Sequence, residues 1–382
     1  MRKNEAIWNS RESRWKIKVQ ADGERKTFAC AKRDDNCPKV KCSEKCKKGK
    51  IIAEKKADNW IEKRNISNNT RCDILINRFI DDLKLAAGTS HYINNEKYMR
   101  LYITPHIAAV KIGNLTQNHL QRIVDHAYAN PAKGKQLSEK TLKNIRATVM
   151  AFMKYCRSEN VTMFHPDTLK IPSAAKKRTK SILSKNDIIT LFTVDTTTYK
   201  GIRIEDRFIH AYRFAIVTGL RPGELLGLKR SDIRGNKLSV SQSINVYKEV
   251  TSGKNKNASR TYTLDSHALK ILSDQQNMLA KLGEISPFVF PSENLANATW
   301  KQLYDAWKKY CRVNGIDTAT TLYELRHTFV SVNTKMPIAL KRLVMGHSEN
   351  MDTQGIYGHE KEDDMDDAAS YIDDAFKQIL GW

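Results

Sequence analysis

The sequence predicts an α+β multidomain protein: a small β-sheet-plus-helix block, an all-helical block, and a mixed, mainly helical block containing a β-hairpin. Three observations carry this prediction. Apolar residues alternate with period two near residues 14–30, recur at helical spacing from Cys72 to Leu169, and return to period two at 238–246, within further helical stretches. The polar stretch Asn65-Ile-Ser-Asn-Asn-Thr, and then Pro166, Pro172 and the run Lys176-Lys-Arg-Thr-Lys, read as linkers. They set the expected boundaries at 1–66, 70–173 and 180–382. At 382 residues the chain is long enough for each block to bury a core.

The first block is expected to be a three-stranded sheet plus a helix with a Cys-rich insertion. Arg14-Trp-Lys-Ile-Lys-Val-Gln and Lys26-Thr-Phe-Ala-Cys read as strands around the turn Ala21-Asp-Gly-Glu, and Ile52, Ala57, Trp60 and Ile61 mark the helix. In the second block, Ile74, Ile76, Phe79, Ile80 and Leu83 line one helix, and Leu115-Thr-Gln-Asn-His-Leu opens another. A third begins at Ser138, a good N-cap, and carries the stripe Leu142, Ile145, Val149, Phe152, Met153 and Cys156. The third block opens with a capping-box spacing at Ser184-Lys-Asn-Asp. Its hairpin pairs a strand through Leu238, Val240, Ile244 and Val246 with Arg260-Thr-Tyr-Thr-Leu across a turn at 252–257. A later helix carries Trp300, Leu303, Trp307 and Cys311.

Lysine and arginine total 65 against 42 acidic residues, a formal charge of +23 that calls for a polyanionic partner. Nucleic acid, an anionic membrane surface and a ribosomal or chromatin scaffold all satisfy that demand. No apolar run approaches the roughly 20 residues that cross a bilayer, and the N-terminus has no secretory signal pattern. Seven cysteines, an odd number without such a signal, point to a reducing compartment.

Thr218-Gly-Leu-Arg-Pro-Gly-Glu puts a glycine suited to a helix C-terminus and a proline suited to a first helical turn on either side of Arg221. The arginine is therefore expected at a corner beside free backbone N–H groups, a site fit for an anion. Three further segments follow: Thr321-Leu-Tyr-Glu-Leu-Arg-His-Thr-Phe-Val, Leu343-Val-Met-Gly-His-Ser and Asp352-Thr-Gln-Gly-Ile-Tyr-Gly-His. In this order and spacing the four resemble the C-terminal catalytic domain of tyrosine recombinases, the integrases of temperate phages and conjugative transposons. The resemblance extends over most of the chain: the helical block is similar to their core-binding domain, and the strand-rich block to the arm-site-binding domain of lambda-like and transposon-type members.

The resemblance implies roles residue by residue. Arg221 and Arg326 match the two catalytic arginines, Lys254 or its neighbour Lys256 the general-acid lysine of the hairpin turn, His347 the late histidine, and Tyr357 the nucleophile. Glu224 matches the acidic residue that supports the first arginine. His327 and His359, beside matched positions, are read as structural or supporting groups. One position departs from the pattern: Tyr323 stands where the family usually has histidine. A phenol can donate to a phosphate oxygen, but with a reference pKa of about 10 it does not accept a proton near neutrality. The chemistry fits these residue types. Two guanidinium forks neutralise the non-bridging oxygens of a phosphodiester, and a surrounding positive field favours the phenolate of an attacking tyrosine.

The resemblance implies a site-specific recombinase that integrates and excises a mobile element such as a prophage or conjugative transposon through a 3′-phosphotyrosyl intermediate. Resolvase or type IB topoisomerase activity, or a DNA-binding regulator of the same fold, are the alternatives. No cofactor is required for such catalysis. Cys30, Cys37, Cys42 and Cys46 read either as a structural zinc site stapling a thin domain or as free thiols. The expected partners are double-stranded DNA at core and arm sites, further copies in a tetrameric synaptic complex, and an excisionase or host DNA-bending protein, in the cytoplasm and nucleoid of a bacterial host, with no membrane. The acidic C-terminal stretch, with Ile372, Phe376, Ile379 and Leu380 on one side, is expected to dock on a neighbouring protomer and restrain cleavage until synapsis.

Overall fold

The computed structural model describes residues 5–21, 24–30, 43–64, 66–132, 134–177, 180–251, 259–317, 320–346 and 364–382. The chain divides into two compact units, residues 1–178 and 179–382.

In the first unit β1 (Ile7–Asn9), β2 (Arg14–Ala21) and β3 (Glu24–Ala29) form an antiparallel meander. Alternation along β2 buries Ile17, Val19 and Ala21. Against this face packs α1 (Lys47–Arg64), whose closest approach is made by Ala53 and Ala57, with Trp60 and Ile61 at the edge. Ile52 of the predicted stripe is only partly buried, because the face turned to the sheet is that of Ala53 and Ala57. The register pairs Lys18 with Thr27 and Gln20 with Arg25, so the opposite face is cationic and polar.

The same unit holds a second, separate apolar core built from α2 (Cys72–Ala86), α3 (Thr89–Tyr98), α4 (Thr104–Ile107), α5 (Gln117–Ala129) and α6 (Glu139–Ser158). Ser138 caps α6 by accepting from the Thr141 N–H at 3.3 Å, and the whole stripe from Leu142 to Cys156 is fully buried.

The second unit begins with α7 (Lys185–Thr193), capped reciprocally by Ser184 and Asp187. The hairpin β4 (Thr196–Tyr199) and β5 (Ile202–Glu205) precedes α8 (Ile209–Thr218), a helix buried on all sides, and the short α9 (Pro222–Gly227). Next come β6 (Ile233–Arg234), β7 (Lys237–Val240), β8 (Ser243–Ile244), β9 (Val250–Thr251) and β10 (Arg260–Thr263), in a three-stranded sheet β10-β7-β6 and a separate pair β8-β9. Helices α10 (Ser266–Lys281), α11 (Trp300–Val313), α12 (Leu322–Val332), α13 (Ile338–Met345) and α14 (Asp364–Leu380) complete it. α10 and α12 both pack on α8, which explains why α8 is not amphipathic. No helix among the described residues is long and apolar enough to cross a membrane.

Two expectations are corrected here. The strand predicted through 238–246 is broken: β7 stops at Val240, and β8 belongs to a second hairpin whose turn is held by Asn245, which accepts from the N–H groups of Tyr247 and Glu249. Between the two strands the Gln242 side chain donates to the Gly227 carbonyl at 2.7 Å, tying the break to the end of α9. The C-terminal helix, expected on a neighbouring protomer, packs on its own unit: Ile372 and Phe376 lie in that unit's core. Asp366 accepts from Thr263 and Lys237, and Asp373 from the N–H and hydroxyl of Ser266.

Gly219 ends α8 in the left-handed conformation (φ 63°), and a Cβ there would lie 2.7 Å from the Phe329 ring. Gly219→Ala therefore incurs about 1–2 kcal/mol of backbone strain together with overpacking against Phe329. Its melting temperature should fall by several degrees in calorimetry of the full chain; an unchanged melt would show that the corner relaxes freely.

Candidate active site

The corner forms where the sequence places it. Gly219 turns the chain out of α8, Leu220 anchors it in the core, Arg221 is the N-cap of α9 and Pro222 its first residue. Of the backbone donors expected at the corner, the Arg221 N–H is engaged by Glu224 Oε2 at 2.9 Å and Pro222 has none. The side chains add further donors.

Glu224 is buried and gathers two arginines. Its Oε1 accepts from Arg221 Nη1 at 2.7 Å and from Arg260 Nη1 at 3.2 Å, and its Oε2 also accepts from Arg260 Nη2 at 3.0 Å. Burial by itself raises the pKa of this carboxyl, but the Arg260 hydrogen bonds and charge, followed by the Arg221 N–H and charge, outweigh it and hold Glu224 below the ordinary glutamate value. Sequence reasoning missed Arg260. The signal was there: Arg260 and Tyr262 flank the exposed Thr261 on the inward side of β10, and an inward arginine requires an acceptor.

Arg326 lies on α12, whose start is fixed by the capping box of Thr321 and Glu324. It is 1% exposed and donates through Nη1 to the Gly219 carbonyl at 2.8 Å and through Nη2 to the Met345 carbonyl at 2.7 Å. Burial, then the Arg221 charge, with a smaller contribution from Arg260, pushes its pKa down to about 10. The Arg221 side chain is 26% exposed and reaches the Gly346 carbonyl at 3.2 Å. The two arginines thus meet at the end of α13, to which each donates. Of the two, Arg221 is the more accessible, and Arg326 is covered.

Tyr323 is 46% exposed one turn earlier on α12, with its ring edge-on to His327 at 5.5 Å between centroids. Burial first, then the nearby Lys180 and Arg326 charges, keeps His327 below its ordinary value, which favours the neutral imidazole. Lys254, Lys256, His347, Tyr357 and His359 lie outside the described residues, as do Cys37 and Cys42. Gly346, which touches Arg221, immediately precedes His347, and β9 and β10 bracket the segment of Lys254. Cys30 is buried at the end of β3, where its Sγ accepts from the Trp15 N–H at 3.3 Å, and Cys46 directly precedes α1.

Among the described residues, Asp265, His267 and Asp373 come close enough together to suggest a metal site. Their atoms are already engaged: Asp265 caps α10 through the Ala268 N–H, and His267 bridges Asp373 and the Trp382 carbonyl, each at 3.1 Å. The cluster fastens α14 to α10.

Three guanidiniums set against one carboxylate leave excess positive charge at the corner, an arrangement that stabilises charge on phosphate oxygens. Residues 181–363 match the phage integrase family. The chain is 24% identical over 80% of its length to a tyrosine recombinase XerC-like protein of Caldanaerobacter subterraneus, covering 83% of that protein. It is 22% identical over 82% of its length to the ICEBs1 integrase of Bacillus subtilis, covering 85% of it. The fold is similar to that of the Tn1549 transposon integrase in complex with transposon right end DNA (TM-score 0.58, 18% identity, 81% of this chain and 99% of that one). It is also similar to that of a lambda integrase tetramer bound to a Holliday junction (TM-score 0.58, 13% identity, 92% and 98%). Over residues 181–363 the chain is similar to the phage integrase family, the similarity expected of a tyrosine-type site-specific recombinase.

Proposed function

We propose that this recombinase integrates and excises a mobile genetic element by cutting and rejoining duplex DNA through a 3′-phosphotyrosyl intermediate. The observation that carries the reading is the convergence of Arg221 and Arg326 on the last turn of α13, from which the chain runs on to His347 and Tyr357. In this reading the guanidiniums neutralise the two non-bridging oxygens of the scissile phosphate. The Tyr357 oxygen attacks phosphorus and gives its proton to solvent water, the bond to the 5′-oxygen breaks, and Lys254 or Lys256 protonates that leaving oxygen. His347 and Tyr323 donate hydrogen bonds to the phosphoryl group. The phosphotyrosyl bond conserves the energy of the broken one, so attack by a different 5′-hydroxyl completes the exchange without a nucleotide or a metal.

The polar face of the β1-β2-β3 sheet, with Lys18, Gln20, Arg25 and Thr27, suits insertion into a major groove at arm sites, while the helical block and the second unit hold core sites. Synapsis would assemble a tetramer, with an excisionase or host DNA-bending protein setting direction, in the bacterial cytoplasm. Cys30, Cys37, Cys42 and Cys46 would hold a structural zinc; treatment with a strong chelator should then lower the melting temperature of the N-terminal block, and an unchanged melt would remove zinc from the account.

The recombinase reading is tested with a nicked duplex of the element's own core site. Wild-type protein should form a covalent adduct, visible on a denaturing gel and undiminished by EDTA, whereas Tyr357→Phe should form none. Sequence-specific binding without any adduct would instead identify a DNA-binding regulator.

A further inference from the structure

We propose that Arg260 is a positioning residue of the strand-transfer reaction: it locks Glu224 to the last turn of α13, and thereby fixes the guanidiniums of Arg221 and Arg326 relative to each other. The proposal rests on the recombinase reading above and adds a residue to it.

The geometry is specific. Three successive carbonyls at the C-terminus of α13 each accept from a different arginine: Val344 from Arg260 Nε at 2.7 Å, Met345 from Arg326 Nη2 at 2.7 Å and Gly346 from Arg221 Nη2 at 3.2 Å. A helix C-terminus carries unpaired carbonyls and a partial negative charge, so it can hold several cations close together. Gly346 closes the helix in the left-handed conformation, φ 59°, which turns the chain toward residue 347. The three arginines come from three distant elements, α9, β10 and α12, and α13 is the piece they share.

Within this fan the arginines are not equivalent. Arg221 and Arg326 each make one bond to α13, and Arg221 makes another to Glu224. Arg260 spans the same two partners as Arg221 but holds them more fully, placing both Nη groups on the Glu224 carboxylate and Nε on α13. Its side chain is 4% exposed against 26% for Arg221, and its guanidinium already donates in three directions. Arg260 is therefore placed to act through its neighbours and not on the phosphate. Without it, the Glu224 carboxylate keeps only Arg221 as a cationic partner among the bonds described, and is free to rotate and draw that guanidinium inward. The end of α13 also loses its tie to β10, the strand that follows the Lys254 segment. Reaction rates fall about 10²-fold for misplacements of the order of 1 Å.

The test compares the full-length wild type with Arg260→Gln, Arg260→Lys and Glu224→Gln, and with the double variant Glu224→Gln/Arg260→Gln, on the nicked core-site duplex. Two quantities are measured: the DNA concentration at half-saturation and the single-turnover rate of adduct formation, corrected for the DNA-binding fraction. Arg260→Gln should lower the rate about 10²-fold with half-saturation unchanged within about twofold, and Arg260→Lys, which keeps the charge but not the fork, should recover part of the loss. In the Glu224→Gln background the Arg260→Gln effect should shrink, because Arg260 acts through that carboxylate. A wild-type rate in Arg260→Gln, an equal loss in both backgrounds, or a loss confined to DNA binding would overturn the proposal. If wild type forms no adduct while binding the site, the recombinase reading itself fails and Arg260 falls with it; a trapping wild type with an indifferent Arg260 removes only the positioning role.

Discussion

Arg326→Met should leave a folded protein that binds DNA but forms covalent adduct at least about 10³-fold more slowly, the scale set by removal of a guanidinium from a phosphoryl-transfer site. The separation of activity from stability follows from the surroundings. Arg326 is almost wholly buried, and its pKa is pushed down to about 10 by that burial and by the neighbouring arginine charges. A base whose folded pKa lies below its unfolded value opposes folding while charged. This penalty is present throughout the neutral range and is relieved only as pH rises above about 10. Removing the charge relieves it. Against this, the carbonyls of Gly219 and Met345 lose their donor, at about 1–3 kcal/mol for each acceptor left unpaired. The two effects oppose each other and are of similar size, so the melting temperature moves little while the rate collapses. Parallel melts and single-turnover assays check this; a variant that unfolds outright would show Arg326 to be chiefly structural.

Glu224→Ala should behave oppositely and be the most destabilising single change at the site. It leaves Arg221 and Arg260 facing each other and Arg326 without their shared carboxylate. Removing one partner of a buried ion pair typically costs about 3–5 kcal/mol, which for a unit of this size is a drop in melting temperature of the order of 10 °C. Glu224→Gln keeps the acceptor oxygen and should cost less. The pH dependence has a definite sign. The folded carboxyl is held below the ordinary value of 4.5, despite burial, by Arg260 and then Arg221. Its contribution is therefore complete above that value and is lost as pH falls through the lower folded value. Wild type and Glu224→Gln should differ in stability at pH 7 and converge in acid. Equal melts at pH 7 would contradict the network.

Much of this was legible in the chain because it is encoded locally. Ser138 and Ser184 announce helices through their own side chains, and Gly219, Arg221 and Pro222 specify a corner through their own conformational preferences. What depends on tertiary partners was not legible. The β4-β5 hairpin turns on Lys200 and Gly201, both at positive φ, and was passed over although Lys-Gly between alternating β-branched residues was available as a signal. Alternation along β10 marks Arg260 as an inward cation in need of an acceptor, but not which acceptors, since they lie 36 and 84 residues away in sequence. The docking of α14 was misjudged for the same reason: an amphipathic helix states that it needs a partner, but not whether that partner is its own unit.

The most direct test of the central claim is chemical identification of the residue that becomes attached to DNA. Wild-type protein would be trapped on a nicked duplex of its own core site in EDTA, digested with protease, and the nucleotide-linked peptide sequenced by mass spectrometry. The account predicts a 3′-phosphate ester on Tyr357, with no other linked residue. Linkage to a different side chain, such as the exposed Tyr323, or sequence-specific binding with no linkage at all, would contradict it.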